Sequence, residues 1–181
     1  HPAMKPFSSL PVGDVERKGL VFFGSVSAHR SKILECIQAT GIECQVFQGH
    51  NFHRDLMLGQ AAINLSIPLN DTTMNHVSPF RIYSALHHGC MTLSVTSRTV
   101  PGLEGLVDWV PEERLADRAA ELLRTGECHH LSRLFLDRFV ARPMTGLLQR
   151  MIPYLGTCIA RDTRAGQGEA LPPFADFRPP K

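Results

Sequence analysis

The sequence predicts an α/β fold, a single domain on a mostly parallel sheet of about five or six strands with helices on both faces. Three observations carry that expectation. Short continuous apolar runs such as Leu20-Val21-Phe22-Phe23 have the profile of strands buried on both sides, not the alternation of a half-solvated strand. These runs alternate with stretches of helical spacing. Glycine or proline stands at most of the junctions.

Residues 1–19 carry Pro, Ser and Gly with little periodicity and are expected to form an N-terminal arm or linker. The first strand, 20–23, stops at Gly24-Ser25. Residues 28–40 follow helical spacing, with Ile33, Leu34 and Ile37 inward and Gly41 as the stop. Residues 43–47 read as a second strand ending before Gly49. A short helix over 52–60 has Phe52, Leu56 and Leu58 as its apolar positions. The third strand, 62–67, is stopped by Pro68, and a polar loop over 69–77 follows.

The segment 78–95 is the most informative. Ser78 suits the N-cap of a helix and Pro79 its first position, where a missing N–H does no harm. Ile82, Ala85 and Leu86 share a face, and Gly89 falls where a left-handed cap is wanted, directly before a strand over 90–95. Arg81 projects from the first turn, near the positive end of the helix dipole. That is a poor place for helix stability and a good one for meeting an anion. Further on, 106–110 reads as a short fifth strand and Pro111-Glu112-Glu113 opens a helix to about Arg124. Two more helices are expected over 127–140 and 145–155. The domain therefore spans 20–155, and 156–181 is a Pro/Gly-rich C-terminal tail, wrapped across the domain or disordered.

Composition narrows the function classes. At 181 residues, with 43% hydrophobic and 20% charged residues, the chain is that of an ordinary globular domain. No apolar run approaches the roughly 20 residues of a membrane helix, and no basic region precedes an apolar stretch at the N-terminus. A cytoplasmic location is expected. A formal charge of +2 is far from the footprint of a dedicated nucleic-acid binder, which leaves nucleic acid only as a conceivable acceptor. The five cysteines lack CxxC spacing and are expected to be buried free thiols.

In a parallel α/β sheet, ligands sit beyond the carboxyl ends of the strands, where loops run into helix N-termini. Three loops qualify, 24–30, 49–53 and 69–81, and each contains Gly, His or Arg. Asp71 and His76 lie in the last of them, as a general base or as solvated loop residues. His87-His88 are expected to cap helix carbonyls. Cys128-His129-His130 lacks a matched fourth metal ligand. No Walker A sequence, GxSxG elbow or HExxH helix is present.

The order Val21-Phe22-Phe23-Gly24-Ser25 with Arg30, Val46-Phe47-Gln48-Gly49, Ala61-Ala62-Ile63-Asn64-Leu65 and Phe80-Arg81-Ile82-Tyr83-Ser84-Ala85-Leu86-His87-His88-Gly89 is similar to a known family. It resembles the C-terminal, donor-binding half of GT-B glycosyltransferases, of the group-1-like kind related to the spore maturation protein CgeB, over roughly residues 20–125. The resemblance implies a Rossmann-like domain holding a UDP- or GDP-sugar as substrate, with no further cofactor. Gly24 and Ser25 match the glycine turn whose N–H groups approach a diphosphate, and Arg30 a basic residue of the next helix. Gly49 matches the loop glycine near the nucleobase, with Phe47 and His50 as neighbours. Arg81 matches the arginine that opens the family's signature helix, and Gly89 the glycine that ends it.

Two departures follow. The family places a glutamate for the donor's ribose hydroxyls where this chain has Ser84, which cannot chelate a diol with two acceptor oxygens. Glu104 either compensates for that carboxylate or decorates its turn. The second departure is that GT-B catalysis needs two Rossmann-like domains. The acceptor site would have to come from another chain, from self-association or from a longer parent protein. The resemblance identifies no catalytic side chain here and implies no metal, because arginines and a helix N-terminus can neutralise a diphosphate. The expected activity is sugar transfer from a nucleotide diphosphate donor. The alternative is a non-catalytic nucleotide-sugar-binding or scaffold module that pairs with another chain.

Overall fold

The computed structural model describes residues 16–48, 52–70, 77–96 and 102–141, all in the first of the two units into which the chain divides, His1–Arg142 and Pro143–Lys181. The helix expected over 145–155 and the tail over 156–181 lie outside the described residues. Along the chain run β1 (Lys18–Phe23), α1 (Ala28–Ala39), β2 (Cys44–Phe47), α2 (Phe52–Gln60), β3 (Ala61–Ser66), α3 (Pro79–His87) and β4 (Met91–Val95). Then come β5 (Asp108–Val110), a 3-10 turn (Glu112–Arg114), α4 (Leu115–Thr125) and α5 (Glu127–Val140).

The five strands form one parallel sheet in the order β2-β1-β3-β4-β5, with helices on both sides. The expected α/β, Rossmann-like fold is present. The order reverses at β1: the chain steps outward to β2 and then returns across β1 to β3. Connections from β1 and β3 therefore leave toward opposite faces, and their carboxyl ends are the switch point at which folds of this topology form a ligand crevice.

Alternation along β1 distributes the core. Leu20 and Phe22 join Ile33, Leu34 and Ile37 of α1. Val21 and Phe23 point the other way and cluster with Leu58 of α2 and Ala85 of α3. Each large side chain buried in this way contributes about 1.5–3 kcal/mol, so the continuous apolar run of β1 anchors both layers. The inner strands also bury polar groups, which are paired across the register. Asn64 stands opposite Thr92 and donates through Nδ2 to Thr92 Oγ1 at 3.1 Å, while Ser94 Oγ donates to Ser66 O at 3.1 Å.

The end of α3 is built as the glycine predicts. Gly89 has φ +63°, its N–H donates to Leu86 O, and Cys90 N–H donates to Ala85 O, both at 2.9 Å. That pair of bonds is a Schellman cap, and it delivers the chain directly into β4. At the other end Ser78 takes the N-cap position without a side-chain cap bond.

Three local expectations change. On α2, Leu58 is fully buried while Leu56 is 42% exposed. Residues two apart on a helix lie about 200° apart, so a nine-residue helix against a sheet buries only one of them. The segment after Pro111 opens as a 3-10 turn, closed by Arg114 N–H on Pro111 O, before α4 begins. Among the cysteines, Cys90 and Cys128 are buried, but Cys44 is half-buried and Cys36, between the inward Ile33 and Ile37, is exposed. Burial pushes the Cys90 thiol up to about 12, so it is unreactive at neutral pH.

Candidate functional site

The carboxyl end of β1 is where the chain's arginines gather. Ser27 caps α1 by accepting from Arg30 N–H at 3.3 Å, and its hydroxyl donates to Leu69 O at 2.6 Å. Those bonds tie the loop after β1 to the loop after β3. Arg30 strengthens the tie. It is 8% exposed, and its Nε donates to Ile67 O and Pro68 O, its Nη2 to Ile67 O at 2.8 Å and its Nη1 to Ser25 O at 2.7 Å. Every nitrogen of this guanidinium thus has a carbonyl partner. Arg30 shapes the crevice walls and leaves its positive charge beneath them; burial lowers its pKa from the ordinary arginine value.

Arg81 reaches the same place from α3, on the other side of the sheet end. Its guanidinium carbon lies 5.0 Å from the Phe22 ring centre and 4.8 Å from that of Phe23. Among the described residues no carboxylate forms an ion pair with it, and its Nη1 is buried without a hydrogen-bond partner. Burial first, and the neighbouring Arg30 charge second, hold its pKa down at about 10. A cation in this state is stabilised by an incoming anion.

Gly24 is what makes room for it. Its φ is +127°, and a Cβ there would stand 2.8 Å from Arg81 Nη2. The glycine turn after β1 was expected to let a ligand's diphosphate approach the backbone. Its nearest neighbour is the arginine itself.

The helix starts complement this charge. Neither α1 nor α3 has an acidic residue in its first turn. By contrast α2 carries Asp55 there, the 3-10 turn Glu112 and Glu113, α4 Asp117 and α5 Glu127. Acids are the usual complement of a helix N-terminus, so the two helices flanking the crevice leave that position to something else.

One further arginine belongs here that sequence reasoning passed over. Arg54 of α2 lies 6.0 Å from the Phe23 ring and 5.4 Å from that of Phe80, and both Nε and Nη2 donate to Asp55 Oδ1. An Arg-Asp neighbour pair in a short helix carries no motif. Only packing against β1 makes it part of the site.

The other expected residues are dispersed. Ser84 stands one turn after Arg81 and is 8% exposed. Gly49, His50, Asp71 and His76 lie outside the described residues. Glu104 accepts from Gly102 N–H at 2.8 Å within its own turn. His88 Nδ1 lies 2.8 Å from Ser84 O, a carbonyl of its own helix, and His87 packs edge-on against Phe139. Among the described residues no group of three His, Cys, Asp or Glu is arranged to hold a metal. Two concavities, of about 280 and 310 Å³, lie elsewhere, against α1 and the 3-10 turn and at the amino edge of β1. No helix among the described residues is long and apolar enough to cross a membrane. No protein-family model matches the chain, and no curated protein matches it.

Proposed function

We propose that the crevice at the carboxyl ends of β1 and β3 binds the diphosphate of a UDP- or GDP-sugar, and that the chain is a GT-B-type glycosyltransferase or its donor-binding half. The observation that carries this reading is Arg81, a half-buried arginine whose Nη1 is enclosed without a hydrogen-bond partner and which, among the described residues, has no carboxylate in an ion pair with it. A buried unpaired charge is destabilising, and a protein retains one where a ligand completes it. Phosphate oxygens are that complement, and arginine meets them with directed N–H groups.

In transfer, negative charge grows on the diphosphate as the sugar leaves. The Arg81 guanidinium stabilises it, helped by the positive end of the α3 dipole, while the buried charge of Arg30 raises the local potential. The base that deprotonates the acceptor comes from the acceptor's side, on a second Rossmann-like domain. The test is calorimetric titration with UDP, GDP and their sugars. Wild-type binding that falls about 100-fold in Arg81→Gln supports the reading; no binding of any of them ends it. Arg81 loses its proton as pH rises through about 10, so affinity is retained below that pH and lost above it.

A second reading, binding without turnover, is favoured by Ser84. Its site on α3 is 8% exposed, too enclosed to stand in for a ribose-chelating carboxylate. Hydrolysis or transfer of a bound sugar by the chain with a partner would rule it out.

A further inference from the structure

The arginines and aromatics at the crevice form one continuous row. Arg30 lies 5.3 Å from the Phe22 ring, Arg81 sits over Phe22 and Phe23, and Arg54 sits over Phe23 and Phe80. Guanidinium and ring thus alternate from the buried Arg30 to the surface. The row ends on Phe80, which is 55% exposed, more than any other large hydrophobic among the described residues. Phe80 precedes Arg81 in the first turn of α3, so the same helix start carries a half-buried cation and an open aromatic ring.

An exposed phenylalanine normally turns inward or is covered. Here Arg54 fixes the ring from one side, and Arg54 is itself held by Asp55. This gives a pre-oriented, apolar ring face beside an anion-seeking guanidinium. We infer that Phe80 is a stacking platform for the heteroaromatic ring of the ligand, and so selects a ring-bearing diphosphate over a bare one. The inference rests on the proposed diphosphate site at Arg81 and adds a residue that reads the other end of the ligand. Stacking on an aromatic side chain tolerates different bases. The platform therefore favours nucleotides over pyrophosphate without separating UDP from GDP.

Calorimetry with inorganic pyrophosphate, UDP and GDP on wild type, Phe80→Ala, Phe80→Trp and Arg81→Gln tests this. Phe80→Ala is expected to weaken UDP and GDP roughly 10-fold and to leave pyrophosphate unchanged, and Phe80→Trp is expected to retain or improve nucleotide affinity. Arg81→Gln is expected to weaken all three. If wild type binds pyrophosphate through Arg81 but binds nucleotides no more tightly, or if Phe80→Ala weakens pyrophosphate and nucleotides equally, the platform is refuted while the anion site stands. If none of the three binds, the diphosphate reading fails, and this inference with it. Phe80 is surface-exposed, and matching thermal midpoints for the two Phe80 variants separate a lost platform from a damaged fold.

Discussion

Arg118 and Arg81 are the same residue put to opposite uses. Arg118, on α4, donates to Asp108 of β5 at 3.0 Å, to Glu121 at 2.9 Å and to Glu127 of α5 at 3.1 Å. Burial works to lower its pKa, but the hydrogen bonds it donates to Glu127, Glu121 and Asp108 overturn that and raise it above the ordinary arginine value. Among the described residues Arg81 has no such carboxylate, and its pKa is depressed to about 10. One cation is complete within the fold and clamps an edge strand to two helices. The other is complete only when something binds. The partners, three carboxylates around Arg118 and an unpartnered Nη1 on Arg81, separate an arginine that stabilises the domain from one the fold leaves incomplete.

The sharpest way to break this contrast is at Arg81. Arg81→Gln should cut nucleotide affinity about 100-fold and leave the thermal midpoint unchanged or raised. A base depressed in the folded state opposes folding below its folded pKa, an opposition relieved as pH climbs through about 10. A large fall in midpoint would mean that Arg81 is structural after all.

Arg30 tests the intermediate case. Arg30→Met removes the partners of Ser25 O, Ile67 O and Pro68 O, and should lower unfolding stability by about 2–3 kcal/mol in denaturant titration. If ligand affinity falls with stability unaltered, Arg30 touches the ligand directly. Gly24→Ala comes next, at about 1–3 kcal/mol, because φ +127° is hostile to a side chain and the new methyl would press on Arg81. It should also weaken binding, which no substitution in the Arg118 clamp should do. Arg118→Ala has the smallest effect, about 1 kcal/mol of stability, reduced further by salt because the pairs are partly solvated. Its nucleotide affinity should equal that of wild type.

Much of this architecture was legible in the sequence, for particular reasons. The apolar run 20–23 could only be a strand buried on both faces, and Gly89 marked a helix end whose left-handed cap any larger side chain would strain. Arg81 was legible as an anomaly, a cation at a helix's positive end. Arg30 and Gly24 were legible as positions but not as roles. Two of Arg30's three carbonyl partners lie 37 and 38 residues away, and Gly24's neighbour comes from α3. Arg54 carried no signal, and Phe80 was legible only as part of the stretch around Arg81, not as an exposed ring beside the site.

The division has a physical basis. The sequence by itself determined the elements, their alternation and their parallel arrangement, because periodicity, caps and breakers act over a few residues. Only the tertiary structure decided which arginine is satisfied and which is not. That depends on carbonyls and carboxylates brought together from distant segments, and on how much water the packing removes. Arg30, Arg81 and Arg118 are indistinguishable as letters. They differ because one meets carbonyl oxygens, one meets three carboxylates, and one meets two aromatic rings and an open position.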